Sequence, residues 1–108
     1  MPHTLIVDDE TDAAEMLAAL FDTEGFTVAT AGTLRDARRQ LALQAPDLVL
    51  LDLMLPDGNG LDLVSEIKAL PGADVVLIIG YASVESSVQV LRAGAVDYLV
   101  KPLNARQF

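Results

Sequence analysis

The distribution of apolar residues divides the chain into short strand-like stretches separated by segments with helical spacing. The strand-like stretches span residues 5–7, 26–30, 47–52, 75–79 and 97–100, and the third and fourth contain the unbroken apolar runs typical of a parallel strand covered on both faces. Between the strands, apolar side chains recur every three or four residues, which predicts amphipathic helices. The predicted inward faces are Ala13, Leu17, Leu20 and Phe21 in the first helix, Leu34, Ala37 and Leu41 in the second, Leu61, Val64 and Ile67 in the third, and Val84, Val88, Leu91 and Ala95 in the fourth.

Capping and turn residues mark the ends of these elements. Thr33 and Ser83 stand where N-caps of the second and fourth helices are expected, and Gly25 and Gly94 stand where the first and fourth helices should stop. Pro56-Asp57-Gly58 is a turn signal between the third strand and the third helix.

Strands and helices therefore alternate, which predicts one α/β domain over residues 1–108 with a parallel five-stranded sheet between two layers of helices. The flavodoxin-like strand order 2-1-3-4-5 is the natural arrangement at this size, and it places a site at the carboxyl ends of the strands. A fifth helix should begin near Asn104. Because the chain stops at Phe108, inside that helix, an effector domain is expected to follow in the native protein.

Composition narrows the classes of function. Apolar residues make up 52% of the chain and charged residues 21%, which suits a packed core and excludes a disordered chain. There is no cysteine, so disulfide and thiol chemistry are excluded. The net charge is −9 and the basic residues are scattered, which argues against nucleic-acid binding by this chain alone. No signal peptide or membrane span is recognisable, so a cytoplasmic protein is expected.

Three aspartates stand at carboxyl ends of predicted strands. Asp8 and Asp9 end the first strand, and Asp52 ends the third. Because those strands are neighbours in the predicted order, the carboxylates should converge on one pocket and repel one another unless a cation is bound. Mg²⁺ is the expected cation, since it takes oxygen ligands and needs only one or two carboxylates. A single acid before a helix often serves only as a cap, but three that converge favour a metal site.

A lysine follows the last predicted strand. The side chain of Lys101 is long enough to reach the same pocket, where it can pair with a phosphoryl oxygen or with Asp52. Taken alone, Lys101-Pro102 is a weak motif that describes a solvated surface lysine better than a site residue, and only its position at a strand end gives it weight.

Four segments together resemble the receiver domains of bacterial response regulators. The resemblance covers nearly the whole chain, its motifs come in the order of the family, and it is closest to receivers of transcriptional regulators of the nitrogen-regulator type. The segments are Asp8-Asp9, Leu50-Leu51-Asp52-Leu53-Met54-Leu55-Pro56-Asp57-Gly58-Asn59-Gly60, Gly80-Tyr81-Ala82-Ser83 and Ala93-Gly94-Ala95-Val96-Asp97-Tyr98-Leu99-Val100-Lys101-Pro102.

The resemblance implies a role for each matching residue. Asp52 would be the phosphoacceptor, converted to an aspartyl phosphate by a sensor histidine kinase in a Mg²⁺-dependent reaction. Asp9 would bind the metal directly and Asp8 largely through water, with Asp52 and the backbone carbonyl of Met54 as further ligands. Lys101 would hold a phosphoryl oxygen. The domain would not be an enzyme beyond this self-catalysed phosphoryl transfer.

The residues implied in switching include one departure from the family. Tyr98 would be the switch aromatic, which turns inward on phosphorylation, although a half-buried strand tyrosine is an equally good description from sequence. The end of the fourth strand should carry Thr or Ser, and this chain has Ile79, in an alignment fixed by Gly80-Tyr81-Ala82-Ser83. Isoleucine donates no hydrogen bond, so we expect weakened coupling between phosphorylation and Tyr98 but unimpaired phosphoryl transfer.

Two other functions remain open at this point. A phosphorylation-independent interaction or dimerisation module would account for Ile79, but not for the intact acids and Lys101. An aspartate-nucleophile phosphatase needs a second acid two residues after the nucleophile, where this chain has Met54. The resemblance also implies a homodimer through helix 4, strand 5 and helix 5, and a transcriptional output domain beyond this chain.

Overall fold

The computed structural model describes residues 2–79 and 97–100. The predicted fourth and fifth helices and Lys101 lie outside these residues. Seven strands and three helices fall within them. Their bounds are β1 His3–Val7, α1 Thr11–Thr23, β2 Thr27–Ala31, α2 Leu34–Leu43, β3 Leu48–Asp52, β4 Met54–Leu55, β5 Gly58–Asn59, α3 Leu61–Lys68, β6 Asp74–Ile79 and β7 Asp97–Val100.

The main sheet has five strands in the order β2-β1-β3-β6-β7, and every neighbouring pair is parallel. This is the predicted order 2-1-3-4-5, counted over the five long strands. Residues Leu5–Val7 of β1 lie level with Val49–Leu51 of β3, so these two central strands end side by side. The flavodoxin-like fold is therefore confirmed.

Two apolar clusters cover the two faces of the sheet. The larger cluster lies under α2 and α3, and the smaller lies under α1. The buried members of both clusters are 9% exposed or less, and burial of apolar surface of this kind is the main driving force for folding. The larger includes Leu5, Val7, Leu34, Ala37, Val49, Leu51, Leu63, Val64, Ile67, Val75, Leu77 and Ile79. The smaller comprises Ile6, Ala14, Leu17, Leu50 and Ile78.

The first helix and second strand differ from their predicted positions by one residue. Ala14 rather than Ala13 is the buried alanine of α1, because the inward face is centred on Leu17. Gly25 ends the helix as predicted, with φ +87°, and the amide of Phe26 then donates to the carbonyl of Phe21. Phe26 therefore belongs to the turn, and β2 begins after it.

The second helix follows the predicted pattern, and the third follows it in part: Val64 and Ile67 are buried as predicted, but Leu63 is buried with them and Leu61 is only partly buried. Thr33 caps α2, since its side-chain oxygen accepts the amide of Asp36, and Leu34 and Ala37 are buried. None of the helices in the described ranges is long and apolar enough to cross a bilayer.

The segment between β3 and α3 holds a feature that the sequence pattern did not predict. Met54–Leu55 pairs with Gly58–Asn59 in a two-stranded antiparallel hairpin. Its tip is the predicted Pro56-Asp57-Gly58 turn. Strands of two residues are too short to produce a detectable alternation of apolar and polar positions.

Candidate metal centre

Three carboxylates meet at the carboxyl edge of the sheet, as predicted. One oxygen from each of Asp8, Asp9 and Asp52 lies within 4.8 Å of the other two. Asp8 and Asp52 are buried, with 3% and 4% of their surface exposed, whereas Asp9 is exposed. The level ends of β1 and β3 bring about this convergence, since Val7 pairs with Leu51 immediately before the acids.

Backbone hydrogen bonds fix the orientation of the two buried acids. Oδ1 of Asp8 accepts the amide of Glu10 at 2.9 Å, and Oδ1 of Asp52 accepts the amide of Met54 at 3.0 Å. The amide of Asp8 itself donates to the carbonyl of Ala31 at the end of β2. The carboxylates are therefore held in place by their own loops.

The loop after Asp52 closes tightly on the strand that carries it. The amide of Gly60 donates to the carbonyl of Leu53 at 2.8 Å. A Cβ atom at Gly60 would lie 2.3 Å from the carbonyl oxygen of Asp52 and 3.0 Å from Cα of Leu53. Only glycine fits between this backbone and α3.

Met54 occupies the position next to the pocket that the resemblance implies. Its amide contacts Asp52, which places the Met54 peptide beside the acidic cluster, and its side chain points to solvent with 73% of its surface exposed.

The two predicted switch positions lie on the neighbouring strands. Ile79 ends β6 with 1% of its surface exposed, and it packs in the larger cluster under α2 and α3. Tyr98 lies on β7, where its backbone pairs with Leu77. Lys101 would follow this strand directly, outside the residues that the structure describes.

The tip of the hairpin holds a functional candidate that the sequence pattern did not predict. The carboxylate of Asp57 accepts the amide of Leu34 at 2.8 Å and the amide of Arg35 at 3.1 Å, both in the first turn of α2. The hydrogen bond from Leu34, more than any other contact, lowers the pKa of Asp57 below its usual value. The sequence predicts only a turn at Asp57, because no local pattern links it to a helix that begins 23 residues earlier.

The donor set fits a hard divalent cation. All three side chains offer carboxylate oxygens, and two of the three are buried close together, where their mutual repulsion is strongest without a counter-charge. Mg²⁺ and Ca²⁺ prefer oxygen ligands of this kind. Neither sulfur nor imidazole, the ligands that favour zinc or copper, is present in the cluster.

Comparison with known proteins identifies the class to which this fold and site belong. The family model described as "Response regulator receiver domain" matches residues 4–108. The transcriptional regulatory protein ZraR of Escherichia coli K12 is 42% identical over 101 residues, which are 93% of this chain and 23% of ZraR. The chain thus spans about a quarter of that relative.

Solved structures give the same assignment. The receiver domain of NtrX from Brucella abortus superposes with a TM-score of 0.87 at 36% identity, over 96% of this chain and 89% of that one. A Burkholderia pseudomallei response regulator, solved with a phosphorylated aspartic acid, a calcium ion and citrate, gives 0.87 at 29% identity over 99% and 64%. The chain belongs to the response regulator receiver domain family.

Proposed function

We propose that Asp52 accepts a phosphoryl group from a sensor histidine kinase and that the resulting state is passed to an effector domain of the same protein. The observation that carries this proposal is the convergence of Asp8, Asp9 and Asp52 at one sheet edge. Receiver domains as a family act in two-component signalling, and the family match supports this role here.

The chemistry requires a positioned carboxylate and a way to reduce charge repulsion. An oxygen of Asp52 attacks phosphorus, the P–N bond of the phosphohistidine breaks, and the imidazole leaves as an acyl phosphate forms. Mg²⁺, held by Asp8, Asp9, Asp52 and the carbonyl of Met54, would supply the charge neutralisation for this reaction. Lys101 would hold a phosphoryl oxygen.

Properties of two similar proteins support this proposal. The Burkholderia pseudomallei relative carries a phosphorylated aspartic acid and a calcium ion. ZraR is a transcriptional regulatory protein, although this chain matches only a quarter of it. We infer that the output of this protein is also transcriptional and that the phosphoryl transfer to Asp52 takes place in the cytoplasm.

Intact mass spectrometry tests the proposed chemistry. Incubation with Mg²⁺ and a small phosphate donor should add one phosphoryl group to the parent and none to Asp52→Asn. Asp62→Asn is the matched control, because it removes one exposed negative charge from the first turn of α3, outside the cluster. An unmodified parent, or a label that persists in Asp52→Asn, would contradict the proposal.

We also propose that Ile79 weakens the coupling between phosphorylation and output. A phosphorylation signal can shift a conformational equilibrium only through contacts that differ between the two states. A hydroxyl bonded to the phosphoryl group would be such a contact, worth ~1.5–3 kcal/mol. Ile79 forfeits it and packs in the core instead.

Substitution of Ile79 by Thr measures this effect. For the parent and for Ile79→Thr, the NMR shifts of amides near Tyr98 are recorded without a phosphoryl mimic and at saturation with it. The change on adding the mimic is then compared between the two proteins. We expect Ile79→Thr to show the larger response. A parent that already switches completely would rule out the argument.

An interaction-only module is the second candidate, and it is not favoured. Its one support is Ile79, whereas it gives no reason for three converging carboxylates. A homodimer through helix 4, β7 and helix 5 remains a prediction. Those two helices lie outside the described ranges.

A further inference from the structure

The hairpin that follows Asp52 is fastened at its tip to another element. Asp57 bonds the amides of both Leu34 and Arg35. Gly58, the next residue, has φ +154°, and a Cβ atom there would lie 2.7 Å from Cδ1 of Leu34. The tip thus meets the first turn of α2 through a polar contact and a close apolar contact.

The start of α2 is also joined to the opposite side of the pocket. Ala31 ends β2, and its carbonyl accepts the amide of Asp8. Gly32 then lies beside Asp9, because a Cβ atom at Gly32 would come within 3.9 Å of Cα of Asp9. The short connection through Thr33 therefore places the first turn of α2 next to the loop that carries Asp8 and Asp9.

These contacts close a ring around the acidic pocket. From Asp8 the ring passes through Ala31 to the first turn of α2 and crosses to Asp57. It then follows the hairpin back to Met54, whose amide holds the carboxylate of Asp52. Within residues 2–79, Asp57 supplies the side-chain hydrogen bonds that link the α2 side of this ring to the Met54 side, beside the apolar contact between Leu34 and Gly58.

We propose that Asp57 is a positioning residue for the cation site: by clamping the hairpin to α2, it holds the Met54 peptide at a fixed distance from Asp8 and Asp9. This inference rests on the proposed function, since it takes the Met54 carbonyl as a ligand. Without the clamp, the hairpin would keep its two-residue ladder, the bonds from Gly60 to Leu53 and from Leu53 to Ile78, and the buried side chain of Leu55. Its tip, however, would lose both hydrogen bonds to the first turn of α2. The ligand set would then be less well ordered before binding, and binding would have to order it.

The carboxylate of Asp57 uses both of its oxygens in the clamp: Oδ1 accepts the amide of Leu34 and Oδ2 accepts the amide of Arg35. Asp57→Ala removes both hydrogen bonds. Asp57→Asn keeps one acceptor oxygen, and its other terminal atom is an NH₂ group that cannot accept. The two variants therefore form a graded series in which the number of clamp bonds falls from two to one to none.

The primary test is a Mg²⁺ titration followed by amide NMR shifts, with the metal alone as the probe. Partners that orient metal ligands without binding the metal typically change affinity by about 10–100-fold. We expect Asp57→Ala to raise the half-saturating Mg²⁺ concentration by roughly tenfold, the lower end of that range. Asp57→Asn should lie between Asp57→Ala and the parent.

Two control variants separate positioning from other effects. Thr33→Ala removes the other side-chain cap of α2, the bond to the amide of Asp36, but leaves the hairpin clamp in place. Asp62→Asn removes an equal charge. Both should bind Mg²⁺ within about twofold of the parent, because neither variant changes a bond of the hairpin tip or a carboxylate of the cluster. The lost cap of Thr33→Ala should lower the stability of the fold instead.

A kinetic measurement gives a second readout. The rate of phosphoryl gain, measured against Mg²⁺ concentration, should show a raised half-saturating concentration in Asp57→Ala and a maximal rate close to that of the parent. A purely structural loss would lower the amount of competent protein at every Mg²⁺ concentration.

The outcomes distinguish this inference from the function on which it rests. If the parent binds Mg²⁺ and Asp57→Ala binds it equally well, or if Thr33→Ala weakens binding as much, the positioning role is wrong while the proposed function stands. If the parent shows no Mg²⁺ response, the proposed function fails, and this inference fails with it. Should Asp57→Ala not fold, Asp57→Asn decides by the same criteria.

Discussion

The two ends of the sheet use the same residue type in opposite ways. At the amino end, Asp47 accepts the amide of His3 through Oδ2 at 2.7 Å, and its own amide donates to the carbonyl of His3 at 2.8 Å. Its carbonyl then accepts the amide of Asp74 at 3.0 Å. At the carboxyl end, Asp8, Asp9 and Asp52 crowd together within 4.8 Å.

At the amino end a carboxylate stabilises the sheet, whereas at the carboxyl end carboxylates form a candidate binding site. A carboxylate that bonds a neighbouring strand's amide, as Asp47 does, ties the sheet together. Converging carboxylates raise the energy of the metal-free fold, because like charges repel. We therefore expect a bound cation to stabilise the carboxyl end of the sheet and to leave the amino end unchanged.

The largest effect should come from filling the space at Gly60. The Cβ of Gly60→Ala would meet the backbone of Asp52 at 2.3 Å, so β3 or α3 must move. We expect a loss of at least ~1–3 kcal/mol in the free energy of unfolding, the usual range for overpacking. Chemical denaturation measures it.

Gly72 provides the matched control near the amino end of β6. It has φ +76° but nothing within 4 Å of an added Cβ atom. Gly72→Ala should cost only the left-handed backbone strain of ~1–2 kcal/mol. Gly60 has φ −57°, a conformation that alanine adopts without strain, so crowding alone acts there. If Gly60→Ala destabilises less than Gly72→Ala, the backbone around Asp52 yields to the added Cβ atom and the crowding argument is wrong.

Removing the Asp47 side chain at the amino end of the sheet should have the next largest effect on the free energy of unfolding. Asp47→Ala breaks the bond from the His3 amide, and a hydrogen bond to a charged group contributes ~1.5–3 kcal/mol. We expect a loss near the lower end of this range, because Asp47 is exposed. Asp47→Asn keeps an acceptor oxygen and should lose less, as urea unfolding would show. An equal loss in both variants would mean that charge, and not the bond, is what matters.

The opposite sign is expected at the carboxyl end. Asp9→Asn removes one of three repelling charges, so the metal-free protein should become more stable by a few tenths to ~1 kcal/mol, as for other exposed charge pairs. Thermal unfolding with and without Mg²⁺ measures the change. The gain should vanish in excess Mg²⁺, which stabilises the parent by binding its folded state. A loss of stability without metal would show that Asp9 is not under repulsion.

The smallest effect concerns acid pH. Hydrogen bonding lowers the pKa of Asp57 in the folded state, so its contribution to stability is present above the unfolded pKa of about 3.9 and is lost as pH falls through the folded value. The stability difference between the parent and Asp57→Asn should thus shrink below pH ~4. Urea unfolding of both proteins at several pH values measures this difference. A difference that stays constant with pH would show that the charge of the Asp57 carboxylate does not contribute to stability.

Prediction from sequence succeeded where a single periodic pattern carries the information. Unbroken apolar runs identified the central strands, and their order placed Asp8, Asp9 and Asp52 together. Thr33 and Gly25 were recognisable as helix ends because their preferences are local.

It failed where the deciding contact is distant or very short. Asp57 and the first turn of α2 are 23 residues apart, and no local rule connects them. The hairpin at Met54–Leu55 is too short to leave a pattern. The one-residue shift in α1 arose because Ala13 and Ala14 are indistinguishable by composition, and only packing around Leu17 decides which one is buried.

The strand order also has a consequence for how the domain is made on the ribosome. The strands that bear the three acids, β1 and β3, and the strand between them in sequence, β2, all belong to the first half of the chain. Protein synthesis delivers that half first, but a domain generally folds as a unit, and β1 and β3 share their core with β6 and α3. All three acids are therefore on the chain before the strands that end in Ile79 and lead to Lys101 are made, and the pocket forms only when those later strands join the sheet.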